Sequence, residues 1–293
     1  MKRIQLRSGN LGRRRVLHAL GALAAGASLP LCAWAARPIR VGLTPAFVHD
    51  EYSLMEEWRS YLQAKLGRPI EFVQRDSYRE TMDLLRLDKL DFAWICDYPY
   101  LYLKDLVRLL AVPLNQGKPT YRSYLIVAAD DTTRHSMRDL KGAVFAYADP
   151  YSNTGYLRPR YMVKELGEDP ATFFKKTFFT WSHRKAVEAV ATGFAQGAAI
   201  DSFVWDTLAR TQPALTAKTR IIARSPDYGF PPFVAHRNVT RADFEAMQRV
   251  LIGMKDDLTG KMLLDRLNID GFVAGDRRLY EDVAKMMRAF GEY

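Results

Sequence analysis

The sequence predicts an α/β fold of two lobes with a helical C-terminal tail. Three observations carry that expectation. From residue 39 onward, short apolar runs alternate with amphipathic helical patterns. The alternation stops at a polar patch, Asp130–His135, and then restarts. From Thr240 the pattern is nearly all helical. Strands separated by helices imply right-handed crossovers and a largely parallel sheet.

The elements follow in order. Ile39–Leu43 reads as a strand, and Leu54–Leu66 as an amphipathic helix that Gly67 and Pro69 end. Ile70–Val73 is a strand, Tyr78–Leu87 a helix, and Phe92–Cys96 a buried strand; Leu109–Leu114 and Tyr124–Ala128 are further strands. Past the polar patch come the strand Ala143–Ala148, a helix over Thr154–Leu166 and the strand Phe178–Trp181. A helix over Ser182–Thr192, the strand Ala198–Ile200, a helix over Ser202–Arg210 and the strand Arg220–Ala223 complete the second unit. In the tail, Thr240 and Asp243 have the spacing of a capping box. There is no internal repeat and no low-complexity linker.

Composition narrows the class. The 293 residues are 48% apolar and 26% charged, which is ordinary for a globular chain and excludes a collagen, a coiled coil or a disordered protein. The 43 Lys+Arg against 33 Asp+Glu leave a formal charge of +10. Six of those bases, Lys2, Arg3, Arg7, Arg13, Arg14 and Arg15, precede residue 36 with no acid among them. Without them 37 bases face 33 acids, so the remainder is near +4 and has no basic stripe of the kind a nucleic-acid binder keeps.

Residues 1–35 read as a signal peptide. A basic stretch leads into the short apolar run Ala19–Ala27, then Pro30, then the small-x-small cleavage pattern Ala33-Trp34-Ala35. The run is too short, and too rich in Ala and Gly, for a membrane span. Gly12-Arg13-Arg14-Arg15-Val16-Leu17 resembles a twin-arginine export signal, although three arginines also occur in ordinary secretory leaders. Leu31 precedes Cys32 where a lipoprotein needs a small residue. The expected mature chain is periplasmic and holds one cysteine, Cys96.

In α/β sheets, ligands bind in loops at the carboxyl ends of the strands. Those loops are Thr44–Asp50, Cys96–Tyr100, Asp149–Thr154, Trp181–His183 and Asp201–Ser202. The stretch Asp149-Pro150-Tyr151-Ser152-Asn153-Thr154-Gly155 joins a strand to a helix. There the Ser152 and Thr154 hydroxyls, the Asn153 amide and unpaired backbone N–H groups could grip an anion; Ser152 or Thr154 could equally do no more than cap the helix. His183, after Trp181-Ser182, could donate to an oxyanion or change charge near neutral pH, or be merely solvated. Asp201 suits a protonated oxyanion or an amine, or caps a helix. Tyr98 and Tyr100 offer hydroxyl donors on rings that exclude water. Cys96 is a buried structural residue or a thiol aimed into the site. There is no Gly-x-Ser-x-Gly, His-Glu-x-x-His, Walker or dinucleotide pattern, and His49, His135, His183 and His236 lack metal-ligand spacing. No enzyme, cofactor or metal is expected, and an exported enzyme ranks last among the readings.

Four blocks in order carry a resemblance: Asp91–Tyr100; Asp149–Pro159, with its Asp-Pro-x-Ser-x-x-Gly-Tyr-Leu-x-Pro form; Ser182-His183; and Ala198–Ser202. They resemble the phosphonate-binding family, the periplasmic substrate-binding proteins of ABC transporters for phosphonate, phosphite and phosphate. The resemblance covers essentially the whole mature chain. It implies a type II-like two-lobed periplasmic binding protein with a hinge between lobes, lobe 1 spanning 36–125 plus 236–293 and lobe 2 spanning 126–235. It also implies oxyanion contacts from Ser152, Asn153, Thr154, His183, Asp201 and Tyr98 or Tyr100, and delivery to an ABC permease. Asn153 stands where the family turn often has a hydroxyl residue. A branch of the family resembles arsenite-binding sensors, in which a cysteine, here Cys96, takes part and the partner is a sensor histidine kinase; soft arsenic prefers thiolate.

Overall fold

A computed structural model describes residues 37–44 and 52–293. The leader, and the expected loop beyond Thr44, lie outside these residues. The first unit runs β1 (Ile39–Leu43), α1 (Tyr52–Leu66), β2 (Ile70–Gln74), α2 (Tyr78–Arg86), β3 (Phe92–Trp94), α3 (Asp97–Tyr102) and β4 (Val107–Leu114), followed by the short β5 (Thr120–Tyr121). The second is β6 (Ser123–Ala128), β7 (Val144–Tyr147), a π turn at Asn153–Leu157 leading into α4 (Arg158–Glu165), β8 (Lys176–Phe179) and α5 (His183–Ala191). It continues with β9 (Gly197–Asp201), α6 (Ser202–Thr211), α7 (Pro213–Thr216) and β10 (Thr219–Arg224). The chain then returns through β11 (Tyr228–Gly229) and β12 (Phe233–His236) to α8 (Arg241–Gly253), α9 (Leu258–Arg266), β13 (Gly271–Ala274) and α10 (Glu281–Ala289).

Two sheets define two lobes. One has strand order β13-β4-β12-β3-β1-β2, the other β10-β6-β9-β7-β8. Only the β2–β1–β3 and β9–β7–β8 pairings are parallel; the others within these sheets are antiparallel. The expected largely parallel sheet is therefore mixed. In each lobe a strand arriving from the other crossover is inserted against the direction of its neighbours: β12 between β3 and β4, and β6 beside β9.

The local elements follow from their residues. Leu54, Trp58, Tyr61 and Leu62 fall on one face of α1 and are buried. Trp58 meets Phe72, Trp94 and Phe233 at ring separations of 5.3, 6.0 and 6.1 Å. Each such side chain contributes about 1.5–3 kcal/mol through burial. Ser77 and Glu80 form a complete capping box on α2.

Other expectations need correction. Thr240 caps α8, accepting the Asp243 N–H at 3.1 Å, but the Asp243 carboxylate pairs with Arg68 at 2.8 Å instead of closing a box. A strand, β13, interrupts the tail read as nearly all helical, because its four residues pair along β4. Cys96–Tyr100 is not a loop: Cys96 is the N-cap of α3, whose first turn tolerates Pro99 because N–H groups there lack helical partners anyway.

Candidate functional site

On the second lobe, β7 ends at Tyr147 and the chain turns through Asp149 to Ser152, Asn153 and Thr154, all three with wholly buried side chains. Ser152 is the N-cap of the π turn, and its Oγ accepts the Gly155 N–H at 3.0 Å. The Leu157 N–H reaches the Ser152 carbonyl at 3.0 Å, the wide spacing of a π turn, a feature frequent at functional sites.

His183, the first residue of α5, accepts the Asp201 N–H on Nδ1 at 3.1 Å, so its ring proton sits on Nε2. Nε2 lies 3.2 Å from Ser152 Oγ. Burial pushes the imidazole down to about 3. It stays neutral at physiological pH and does not make the charge change its sequence context allowed. With both Ser152 lone pairs engaged by Gly155 and His183, the hydroxyl proton is left for a third partner. Asp201, at the end of β9, caps α6 by accepting from Phe203 N and Val204 N at 2.8 and 3.4 Å. Burial, opposed by these donors and reinforced by the charge of Asp97, pushes its carboxyl up to about 8.

The first lobe presents Cys96 and Asp97, where β3 gives way to α3. Asp97 is completely buried. Its Oδ1 accepts from Cys96 Sγ at 3.0 Å, the Tyr121 hydroxyl at 2.8 Å and Tyr98 N at 2.9 Å. Its Oδ2 accepts from Asn153 Nδ2, across the lobes, at 2.7 Å. Burial raises this carboxyl to about 6 while the four donors pull it down. The same burial, with the Asp97 charge second, pushes the Cys96 thiol well up, so it is a protonated donor. Asp149 makes a second tie between lobes, accepting Tyr78 N at 3.2 Å and Tyr151 N at 2.7 Å. Tyr78 belongs to the same cluster: burial first, and then the acidic groups Cys96, Asp149, Asp201 and Asp97 around it, hold its phenol well above the usual range. Ser123 Oγ fixes the turn by donating to the Thr154 carbonyl at 2.7 Å.

Two buried polar atoms of this turn are left without partners, Asn153 Oδ1 and Thr154 Oγ1. Among the described residues, no lysine or arginine shares a hydrogen bond or ion pair with Asp97, Asp149, Asp201, Ser152 or Asn153.

The structure thus brings together Cys96, Ser152, Asn153, Thr154, His183 and Asp201. It does not bring in the hydroxyls of Tyr98 and Tyr100. Tyr98 donates to Glu292 near the C-terminus, and Tyr100 packs on Tyr280 with ring centres 4.9 Å apart, lining a surface cavity with Lys104 and Arg277. Tyr78 and Tyr121 stand at the cluster in their place. Sequence reasoning missed both, together with Asp97 and Asp149 as site residues. The two acids lie inside motifs already singled out, whereas Tyr78 and Tyr121 carry no local signal.

Polar groups of two α/β lobes, buried against each other at the carboxyl ends of their strands, define a two-lobed solute-binding protein. The profile of the ABC-transporter phosphonate periplasmic substrate-binding proteins matches residues 41–280, and the chain belongs to that family. It is 25% identical over 228 residues to the phosphonates-binding periplasmic protein of Escherichia coli, covering 74% of this chain and 67% of the relative. It is 23% identical over 158 residues to a probable ABC transporter phosphite binding protein of Prochlorococcus marinus, covering 52% and 53%. The chain spans about half the length of that second relative. In fold it is similar to a binding protein component of an ABC phosphonate transporter from Pseudomonas aeruginosa, with TM-score 0.77, 23% identity and 85% of both chains covered. It is also similar to PhnD1 of P. marinus in complex with methylphosphonate, with TM-score 0.77, 17% identity, and 87% and 98% covered. Among the described residues, no helix is long and apolar enough to cross a membrane.

Proposed function

We propose that this protein captures a small phosphorus oxyanion of the phosphonate, phosphite or phosphate class between its lobes and delivers it to an ABC permease of the inner membrane. The observation that carries this reading is the turn Ser152–Asn153–Thr154. Its three polar side chains are wholly buried between the lobes, with a spare Ser152 proton, an unpartnered Thr154 hydroxyl and an unpartnered Asn153 carbonyl. Buried polar groups without partners are costly unless something satisfies them. The family membership and the names of the relatives agree with that assignment.

In this reading lobe 1 comprises 36–125 plus 236–293 and lobe 2 comprises 126–235. Export depends on residues 1–35, and entry of ligand requires hinge opening near residues 120–130 and 230–240. Opening breaks the Asn153–Asp97 and Tyr78–Asp149 bonds. The buried, protonated Cys96 thiol beside Asp97 weighs against an arsenic–thiolate site and its sensor-kinase partner.

A thermal-shift screen of phosphate, phosphite, methylphosphonate and arsenite tests the proposal, since a ligand bound only by the folded state raises its stability. The phosphorus oxyanions are expected to raise Tm, in the Cys96→Ser variant as well. The Ser152→Ala/Thr154→Ala variant should lose two hydrogen bonds to a charged ligand, each about 1.5–3 kcal/mol, and so at least about 100-fold in affinity by calorimetric titration. A response to arsenite alone that vanishes in Cys96→Ser would overturn the assignment.

A further inference from the structure

The hydrogen-bonding capacity of the site is unbalanced toward acceptance. Asn153 Nδ2 gives its protons to Asp97 Oδ2 at 2.7 Å and to the Tyr121 hydroxyl at 3.3 Å. Those two bonds fix the amide: turning it over would set Oδ1 against the Asp97 carboxylate. Asn153 Oδ1 is thereby held beside Asp97, buried, with both lone pairs unused. Asp97 Oδ2 receives one donor, whereas Oδ1 receives three, so Oδ2 also keeps a lone pair. Asp201 and Asp149 are buried close by, and among the described residues no cation pairs with any of the three acids. Against these acceptors stand the hydroxyl donors Ser152 and Thr154.

We propose that the site selects a phosphorus oxyacid that still carries a P–OH proton, with Asn153 Oδ1 and Asp97 Oδ2 sharing that one proton in a three-centre bond while Ser152 and Thr154 donate to the P–O oxygens. This deepens, and rests on, the capture of a phosphorus oxyanion proposed above. Hydroxyl-to-carboxylate bonds are short and strong. A fully ionised oxyanion of the same shape has no proton to offer; it would leave Asn153 Oδ1 unsatisfied and set its charge against Asp97 with no compensating cation. Sulfate is such an ion near neutral pH. Phosphate, phosphite and methylphosphonate keep a monoprotonated form there.

Calorimetric titration of the full-length protein at pH 7 with phosphate, phosphite, methylphosphonate, 2-aminoethylphosphonate and sulfate tests the inference, alongside Asp97→Asn and Thr154→Ala. Wild-type protein is expected to bind the phosphorus oxyanions at least about 100-fold more tightly than sulfate. In Asp97→Asn, the new amide oxygen keeps the three donors of Oδ1. The new amide nitrogen then faces Asn153 and turns that amide over, replacing an acceptor with a donor. The phosphate-to-sulfate ratio should fall by at least about tenfold. Thr154→Ala should weaken all of these anions together and leave the ratio in place, which separates selection from general damage to the turn.

Sulfate binding as tight as phosphate in wild type would overturn the selection while leaving oxyanion capture intact. So would an unchanged ratio in Asp97→Asn. A preference for 2-aminoethylphosphonate over methylphosphonate of more than about tenfold would assign the acceptors to an ammonium group and overturn it too. Failure of every phosphorus oxyanion to bind wild type would overturn capture and selection together.

Discussion

Raising the pH from 6.5 to 8 should destabilise this protein, and Asp201→Asn should remove most of that dependence. Asp201 titrates at 3.8 when free and is pushed up to about 8 by burial in the fold. Between those values the unfolded chain gives up the proton and the native state keeps it. Stability is therefore full below 3.8 and is lost as pH rises toward 8. The slope is up to about 1.4 kcal/mol per pH unit, so the loss across this window is about 2 kcal/mol. For a chain of this size that lowers Tm by roughly 4–8 °C. His183 acts with the opposite sign. Its value falls from 6.5 to about 3, so its contribution is complete above 6.5 and is lost only on acidification. The window avoids that effect, and Asp97, raised to about 6, has largely titrated by its start. Asparagine keeps a side-chain oxygen for the Phe203 and Val204 N–H groups, so the cap of α6 survives the substitution. Thermal denaturation at constant ionic strength, with urea titration at the two ends of the window, measures the effect. A wild-type Tm that is flat or rises would show that Asp201 does not keep its proton across this window, and an equal fall in Asp201→Asn would place the dependence on another group.

Two further perturbations probe the frame around the site. A methyl group at Gly155 would lie 2.5 Å from Ala148 Cβ, 2.8 Å from His183 Cε1 and 3.0 Å from Ser152 Oγ. Gly155→Ala should therefore cost about 1–3 kcal/mol in urea unfolding and weaken phosphate binding; wild-type stability and affinity would show that the turn has slack. Glu292 accepts from Tyr98 and Tyr102 of α3 and pairs with Arg160 of α4 at 3.2 Å, tying the lobes at the C-terminal end. Glu292→Ala should give a larger radius of gyration in small-angle scattering, and an unchanged radius would argue that these contacts do not hold the lobes together.

What could be read from the chain by itself was whatever its near neighbours decide. The alternation of apolar runs and helices, the Thr240 cap of α8, and Ser152, His183 and Asp201 at strand ends are all expressed within a few residues, because caps and turns use local hydrogen bonds. The two lobes were already expected from the break in the alternation at Asp130–His135; the resemblance added the family, since spaced motifs carry information that no single motif holds. Strands β12 and β13 escaped because a run of only four residues becomes a strand only when a distant edge accepts it. Here that edge is β4, more than 100 residues earlier in the chain. The directions of Tyr98 and Tyr100 were settled by Glu292 and Tyr280, which lie far along the chain. The chemistry of Asp97 was the least legible. Beside Cys96 in sequence it is only an acid that opposes thiol ionisation. Its role as the meeting point of Tyr121 and Asn153 exists because two lobes close water out around it, and burial and long-range hydrogen bonds are properties of the tertiary structure alone.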